Sequence, residues 1–125
     1  MIFLILLSCD DTIFGAGADT ASVAVENPDY AADVEPIWLD RCDGCHTGGG
    51  MSGGLVLDQG ADLLVGVPSS EAPDVLLVAP GDLGASWLWL KLAGEQTTGS
   101  AMPQGSPLSA GDLGTIQNWI EEGAP

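Results

Sequence analysis

The run Cys42-Asp43-Gly44-Cys45-His46 gathers most of the thiol and imidazole chemistry in the chain, which has three Cys and one His in all. Two thiols two residues apart, with an imidazole directly after the second, have the spacing used to attach haem covalently. Thiols one helical turn apart can each form a thioether with one of the two haem vinyl groups. The next residue then lies under the ring, where an imidazole nitrogen can bind iron. Gly44 keeps the strap close to the porphyrin edge, and Gly48-Gly49-Gly50 lets the backbone fold away around the ring.

Three other chemistries use the same residue types. A structural disulfide between Cys42 and Cys45 leaves the adjacent His46 without a purpose. A thioredoxin-like redox pair wants a strand before the motif and a βαβ setting, whereas here a helical pattern precedes and a glycine loop follows. A zinc site needs four ligands. The nitrogen and sulfur candidates are only Cys9, Cys42, Cys45 and His46, and the neighbours 45 and 46 seldom both reach one metal.

The elements that position this motif are short. Val34, Ile37, Trp38 and Arg41 fall at helical spacing, with Asp33 as N-cap and Pro36 in the first turn. That helix runs into Cys42. Leu55-Val56-Leu57 reads as an extended piece, Ala61–Val65 as a short helix closed by Gly66, and Val75–Val78 as extended. The stretch Ser86–Gly94 alternates like a strand, yet its Leu, Ala and Lys content and its Gly94 stop favour a helix. Residues 95–107 form a loop. Ser109-Ala110-Gly111-Asp112 resembles a capping box, and Leu113, Ile116 and Ile120, with Trp119 beside them, mark the face of a last helix. Trp38 and Trp119 are expected to pack where the first and last helices cross, with Leu55 and Leu57 covering a haem edge. Trp87, Trp89 and Arg41 are candidates for a haem propionate, with plain packing or solvation as the alternative.

The chain has 125 residues and 46% apolar content, enough for one folded domain. Against 18 Asp and Glu stand two Lys and Arg, a net charge of −16. Nothing could neutralise a run of phosphates, so nucleic acid is excluded as a partner. Docking of the folded domain on an anionic lipid surface is disfavoured for the same reason. A redox partner with a basic docking face suits such a charge.

Met1–Leu7 is apolar but too short to span a bilayer. It reads as the end of a secretory signal over residues 1–8, and Leu6-Leu7-Ser8-Cys9 resembles a lipobox with Cys9 as the site of lipid attachment. No Lys or Arg precedes the run, and an ordinary signal end with Cys9 incidental is the alternative. Either reading places the protein outside the cytoplasm, in the periplasm, with membrane attachment only through lipid on Cys9. Residues 9–29, broken by Gly, Asp, Asn and Pro, read as a flexible tether, and 30–125 as the folded domain.

The segments VEPIWLDRCDGCHTGGGMSGGLVLD, VAPGDLGASWLWLKLAG, MPQGSPLS and DLGTIQNWIEEGAP together resemble a small bacterial monohaem cytochrome c domain, similar to the single-haem modules of planctomycete and myxobacterial proteins. The resemblance covers about residues 30–125. It implies an all-α fold of three to four short helices wrapped around one covalently bound haem c, with long loops. It also implies His46 as proximal and Met102 as distal iron ligand. The single His excludes a bis-imidazole pair. Lys91 is a conceivable ligand only after losing its proton, and Met51, five residues past His46, reads as packing. Many cytochromes c orient the proximal imidazole with the carbonyl of a Pro soon after the motif. Here no Pro lies between Pro36 and Pro68, so the orienting carbonyl is not visible. The expected function is that of an exported, monomeric one-electron carrier and not an enzyme. The alternatives are a haem module docked to a larger oxidoreductase, or a ligand-binding or catalytic haem protein with an open sixth position.

Overall fold

A computed structural model of the chain describes residues 23–125. The signal reading and Cys9 lie outside the described residues. Three α-helices carry the fold: α1 (Glu35–Arg41), α2 (Trp87–Ala93) and α3 (Ala110–Glu121). A single π-helical turn, Tyr30–Val34, leads into α1, and 3-10 turns form at Ser52–Gly54 and Ala61–Leu63.

The start of the first helix differs from the expectation. The N-cap is Asp29, whose carboxylate accepts from Ala32 N at 2.9 Å, while Asp33 sits inside the turn and accepts from Asp29 N at 2.8 Å. Two acids four residues apart thus cap reciprocally, and the earlier one wins because the turn begins before the apolar spacing does. The wide turn also accommodates Pro36. This residue has no N–H to give, and its ring crowds the carbonyl one turn back, which an i→i−5 pattern relieves. Tyr30, Val34, Ile37 and Trp38 then share the buried face.

The stretch 87–93 is a helix in spite of its strand-like alternation. Trp87, Leu88 and Lys91 are buried at helical spacing, and Gly94 ends the helix at φ 73°. Ser86 does not cap it. Its hydroxyl donates to Ala79 O and Asp82 O and accepts from Ala79 N, pinning the preceding loop. Ser109 does cap α3, accepting from Asp112 N at 3.0 Å. Ile116, Trp119 and Ile120 are buried as expected, but Thr115 replaces Leu113 on that face, and its hydroxyl donates to Gly111 O.

Among the described residues no β-strand forms. Of the pieces expected to be extended, 75–78 makes only isolated bridges, Val78 with Val65 and Leu76 with Pro68 and Ser86, and 55–57 makes none. The helix expected over 61–65 is one 3-10 turn, because Leu64 N and Val65 N both turn back to Ala61 O and Gly66 N already pairs with Val78 O.

One core holds these pieces together. Val34, Trp38, Leu64, Val78, Ile116, Trp119 and Ile120 are fully buried within it. Trp38 and Trp119 do share it, but the aromatic contact at the junction is Tyr30 with Trp119, their rings 5.3 Å apart and tilted by 44°. Burial and the nearby Glu35 carboxylate push the Tyr30 hydroxyl up to about 12, and that hydroxyl donates to Leu57 O. The far end of the expected tether is docked rather than free. Val25 N donates to Thr115 Oγ1, Asn118 Nδ2 donates to Val25 O, and Pro28 is buried. Ala24 lies so close to Gly114 that a Cβ there would stand 2.7 Å from the Ala24 methyl.

Candidate functional site

The strap between α1 and the glycine run closes as a tight turn. Cys42 N donates to Trp38 O at 2.9 Å and His46 N donates to Cys42 O at 3.1 Å, so the motif is a continuation of α1 bent back on itself. Gly44 takes φ 75° at the bend. The glycine loop then lies flat against the strap, with Ser52 N bonded to Cys45 O at 3.0 Å. Gly50 is the point of closest approach. A Cβ on it would stand 2.7 Å from Gly44 O and 2.8 Å from Cys45 O, both main-chain atoms that cannot move aside.

His46 is buried and held at three points. Besides its own N–H, its carbonyl accepts from Leu57 N at 2.8 Å, and its Nδ1 lies 3.2 Å from Leu55 O. A carbonyl only accepts, so Nδ1 carries the proton and Nε2 keeps its lone pair for a metal. The orienting carbonyl is therefore that of Leu55, nine residues on, and needs no Pro. Next to it, Thr47 Oγ1 donates to Asp43 Oδ1 at 2.7 Å, which holds the Asp43 carboxyl below its ordinary range.

Cys42 and Cys45 are both free thiols. Cys45 is exposed, whereas Cys42 is half-buried and its thiol is pushed up to about 11 by burial, with Arg41 partly offsetting this and Cys45 adding to it. Both open on a cavity of about 860 Å³. Its walls come from α1 and the strap (Trp38, Cys42, Cys45, His46), from Leu55, Leu57 and Leu77, from Trp87 and Leu88 of α2, and from residues 100–106 with Met102. No residue of α3 reaches it. All four residues singled out from the sequence, Cys42, Cys45, His46 and Met102, thus line one space.

Met102 enters by a loop. Its N–H donates to Lys91 O at 2.8 Å, and its side chain is half-buried. Arg41 reaches across from α1 and donates to Ser106 O at 3.3 Å and Pro107 O at 3.1 Å, so its guanidinium ties down the far end of the same loop. Met51 is 65% exposed and does not line the cavity. Trp89 packs against the core, outside the cavity wall. Trp87 lines the cavity, but its indole N–H is engaged, donating to Glu71 Oε2 at 3.2 Å.

Glu71 was not foreseen. Its Oε2 also lies 2.7 Å from Lys91 Nζ, and this ammonium lowers the Glu71 carboxyl from its ordinary range. Nothing in Ser69-Ser70-Glu71 marks the acid apart from its neighbours. The Leu55 carbonyl is a main-chain group and has no sequence signal at all.

Among the described residues no three His, Cys, Asp or Glu side chains converge as a bare cation would need. Nor, among the same residues, is any helix long and apolar enough to cross a membrane. Comparison with family models, with curated proteins and with solved structures finds no match.

Proposed function

We propose that the protein is an exported, single-haem electron carrier in which Cys42 and Cys45 hold haem c covalently and His46 and Met102 provide the axial ligands. The observation that carries this reading is the convergence of two thiols, one imidazole and one thioether, 60 residues apart from first to last in the sequence, on a single cavity. Its volume of about 860 Å³ falls within the range of sites for sizeable organic cofactors, and Trp and Leu side chains supply its apolar wall. The donor set fits as well: soft sulfur and a neutral imidazole are what haem iron takes in low-spin carriers.

When bound, haem supplies an iron that alternates between ferrous and ferric, exchanging one electron per cycle. The chain's own residues do the rest. The thiols of Cys42 and Cys45 anchor the ring. Leu55 O fixes the His46 tautomer and its ring plane, which keeps Nε2 in one position in both oxidation states. Trp38, Leu57, Leu77 and Leu88 exclude water and keep the local dielectric low. The Met102 thioether, soft and neutral, would favour the ferrous form of a bound haem and raise its potential. The acidic surface steers a basic redox partner.

A potentiometric titration of the haem-loaded protein tests this reading. A reversible one-electron curve, with no binding of carbon monoxide by the reduced native protein, is the expected result. Rapid binding of carbon monoxide indicates an open sixth position and a catalytic or sensing role instead.

A further inference from the structure

Three segments that are far apart in the chain meet at the edge of the cavity, where Glu71 and Lys91 line it. Glu71 comes from the loop after Pro68, Lys91 from α2, and Gly99 from the loop that carries Met102. Lys91 is one of only two Lys and Arg residues in the chain, and its side chain is 10% exposed while that of Glu71 is 38% exposed. Desolvating an ammonium is tolerated only with a partner in place. Here Glu71 Oε2 stands 2.7 Å from Nζ, the Trp87 indole donates to the same oxygen, and Nζ lies 5.8 Å from the Trp87 ring centroid.

The Met102 loop rests on this pair. Gly99 has φ 69°, and a Cβ there would collide with Glu71 Oε1 and stand 2.7 Å from Lys91 Nζ. Three residues later the Met102 N–H donates to the main-chain carbonyl of Lys91. Lys91 therefore meets the loop twice, by a backbone hydrogen bond at Met102 and by its ammonium packed beneath Gly99. The carboxylate is itself anchored. Buried Ser69 accepts from Glu71 N and Ala72 N, and the Ser70 hydroxyl donates to Gly53 O at 2.6 Å, tying this loop to the glycine loop on the His46 side.

We propose that the Glu71–Lys91 ion pair is a seat that positions the Met102 loop, so that Glu71 and Lys91 are positioning residues for the distal sulfur. The proposal rests on the reading of Met102 as distal ligand. Lys91 serves this role as a paired ammonium, not as an iron ligand. Main-chain bonds hold residues 95–102 near their two ends, Glu95 N to Leu90 O and Met102 N to Lys91 O, and the ion pair supports the stretch between them at Gly99.

The test uses the haem-loaded full chain and two readouts, the Fe–S charge-transfer band and the rate at which imidazole binds the ferric protein. Met102→Ala is the reference and is expected to abolish the band. Glu71→Gln, which leaves the buried Lys91 ammonium without its partner, and Lys91→Met, which removes that ammonium from beneath Gly99, are each expected to weaken the band and to speed imidazole binding by about tenfold. Lys91→Arg, which keeps the charge, should restore most of the band, which a loss of general stability would not do. Gly99→Ala leaves both charges in place but forces them away from the loop. It should shift both readouts in the same direction, and it supplies the decision if a charge variant does not fold. Wild-type band and imidazole rate in Glu71→Gln and Lys91→Met, with the band lost in Met102→Ala, overturn the seat and leave the ligand reading standing. A band that survives Met102→Ala overturns the ligand reading and the seat with it.

Discussion

The two faces of the cavity are built in opposite ways. On the His46 side the backbone is knotted to itself: His46 N donates to Cys42 O, Leu57 N to His46 O and Ser52 N to Cys45 O, Gly50 packs closely against the strap, and the imidazole is buried. On the Met102 side a loop with no secondary structure of its own is held by one main-chain bond to Lys91, by the Arg41 guanidinium and by an ion pair beneath Gly99. The first face is built from main-chain contacts close in sequence, the second largely from side-chain contacts between distant segments. Under the proposed carrier function the division would be useful, because the covalent and proximal attachments would stay fixed while the distal sulfur would set the potential.

The sharpest way to break that contrast is to remove the thiols. A chain with 18 Gly and a cavity of about 860 Å³ has a thin core, and the proposed cofactor would be its largest apolar surface. Cys42→Ala with Cys45→Ala should leave a chain without a cooperative thermal transition or native near-ultraviolet circular dichroism. A cooperative, native-like double variant would show that the protein fold stands alone.

Next in size is the distal side. Met102→Ala should keep the thermal midpoint within a few degrees, lower the reduction potential and admit external ligands. A fall in the midpoint as large as that of a core truncation, with the potential unchanged, would reverse the roles of the two faces.

A smaller effect sharpens the proximal side. Gly50→Ala presses a methyl into Gly44 O and Cys45 O, and overpacking of this kind costs about 1–3 kcal/mol. Chemical denaturation should register that loss with m unchanged. A neutral result would mean the strap yields more readily than its hydrogen bonding suggests.

The smallest effect is on pH. The Asp43 and Glu71 carboxyls are both held below their ordinary range, the first by the Thr47 hydroxyl and the second by the Lys91 ammonium. A carboxyl lowered in the folded state adds stability above its unfolded value and loses it as pH falls through the folded one. The thermal midpoint should therefore drop on acidification below the ordinary carboxylate range, and Glu71→Gln should flatten that slope slightly, exposure keeping the effect small. An unchanged slope would remove the charge from the account of the distal face.

The same contrast explains what could be read from the residues alone. Among the residues lining the cavity, Cys42, Cys45 and His46 were legible from the spacing of their motif, and Met102 from the resemblance to cytochrome c domains. The helices at 87–93 and 110–121 were legible from their stops and spacing. The start at Asp29 was not, because two acids one turn apart compete for the same cap. The docking of residues 24–28 on α3 was hidden as well. It depends on main-chain atoms of Val25 meeting Thr115 and Asn118, and on the absence of a side chain at Gly114. Leu55 O and the Glu71–Lys91 seat belong to the same class: one is a backbone group, the other a pairing across the fold that no local pattern encodes.

The central claim is that this chain carries haem through Cys42 and Cys45 with His46 and Met102 on the iron. The most direct measurement is the mass of the denatured protein, made in cells that carry haem-maturation machinery, together with its oxidised absorption spectrum. The account predicts a mass increased by one haem that survives denaturation, is lost in the Cys42→Ala, Cys45→Ala double variant, and is accompanied by an Fe–S charge-transfer band. A polypeptide of unmodified mass at residues 42 and 45 from the same cells would contradict it.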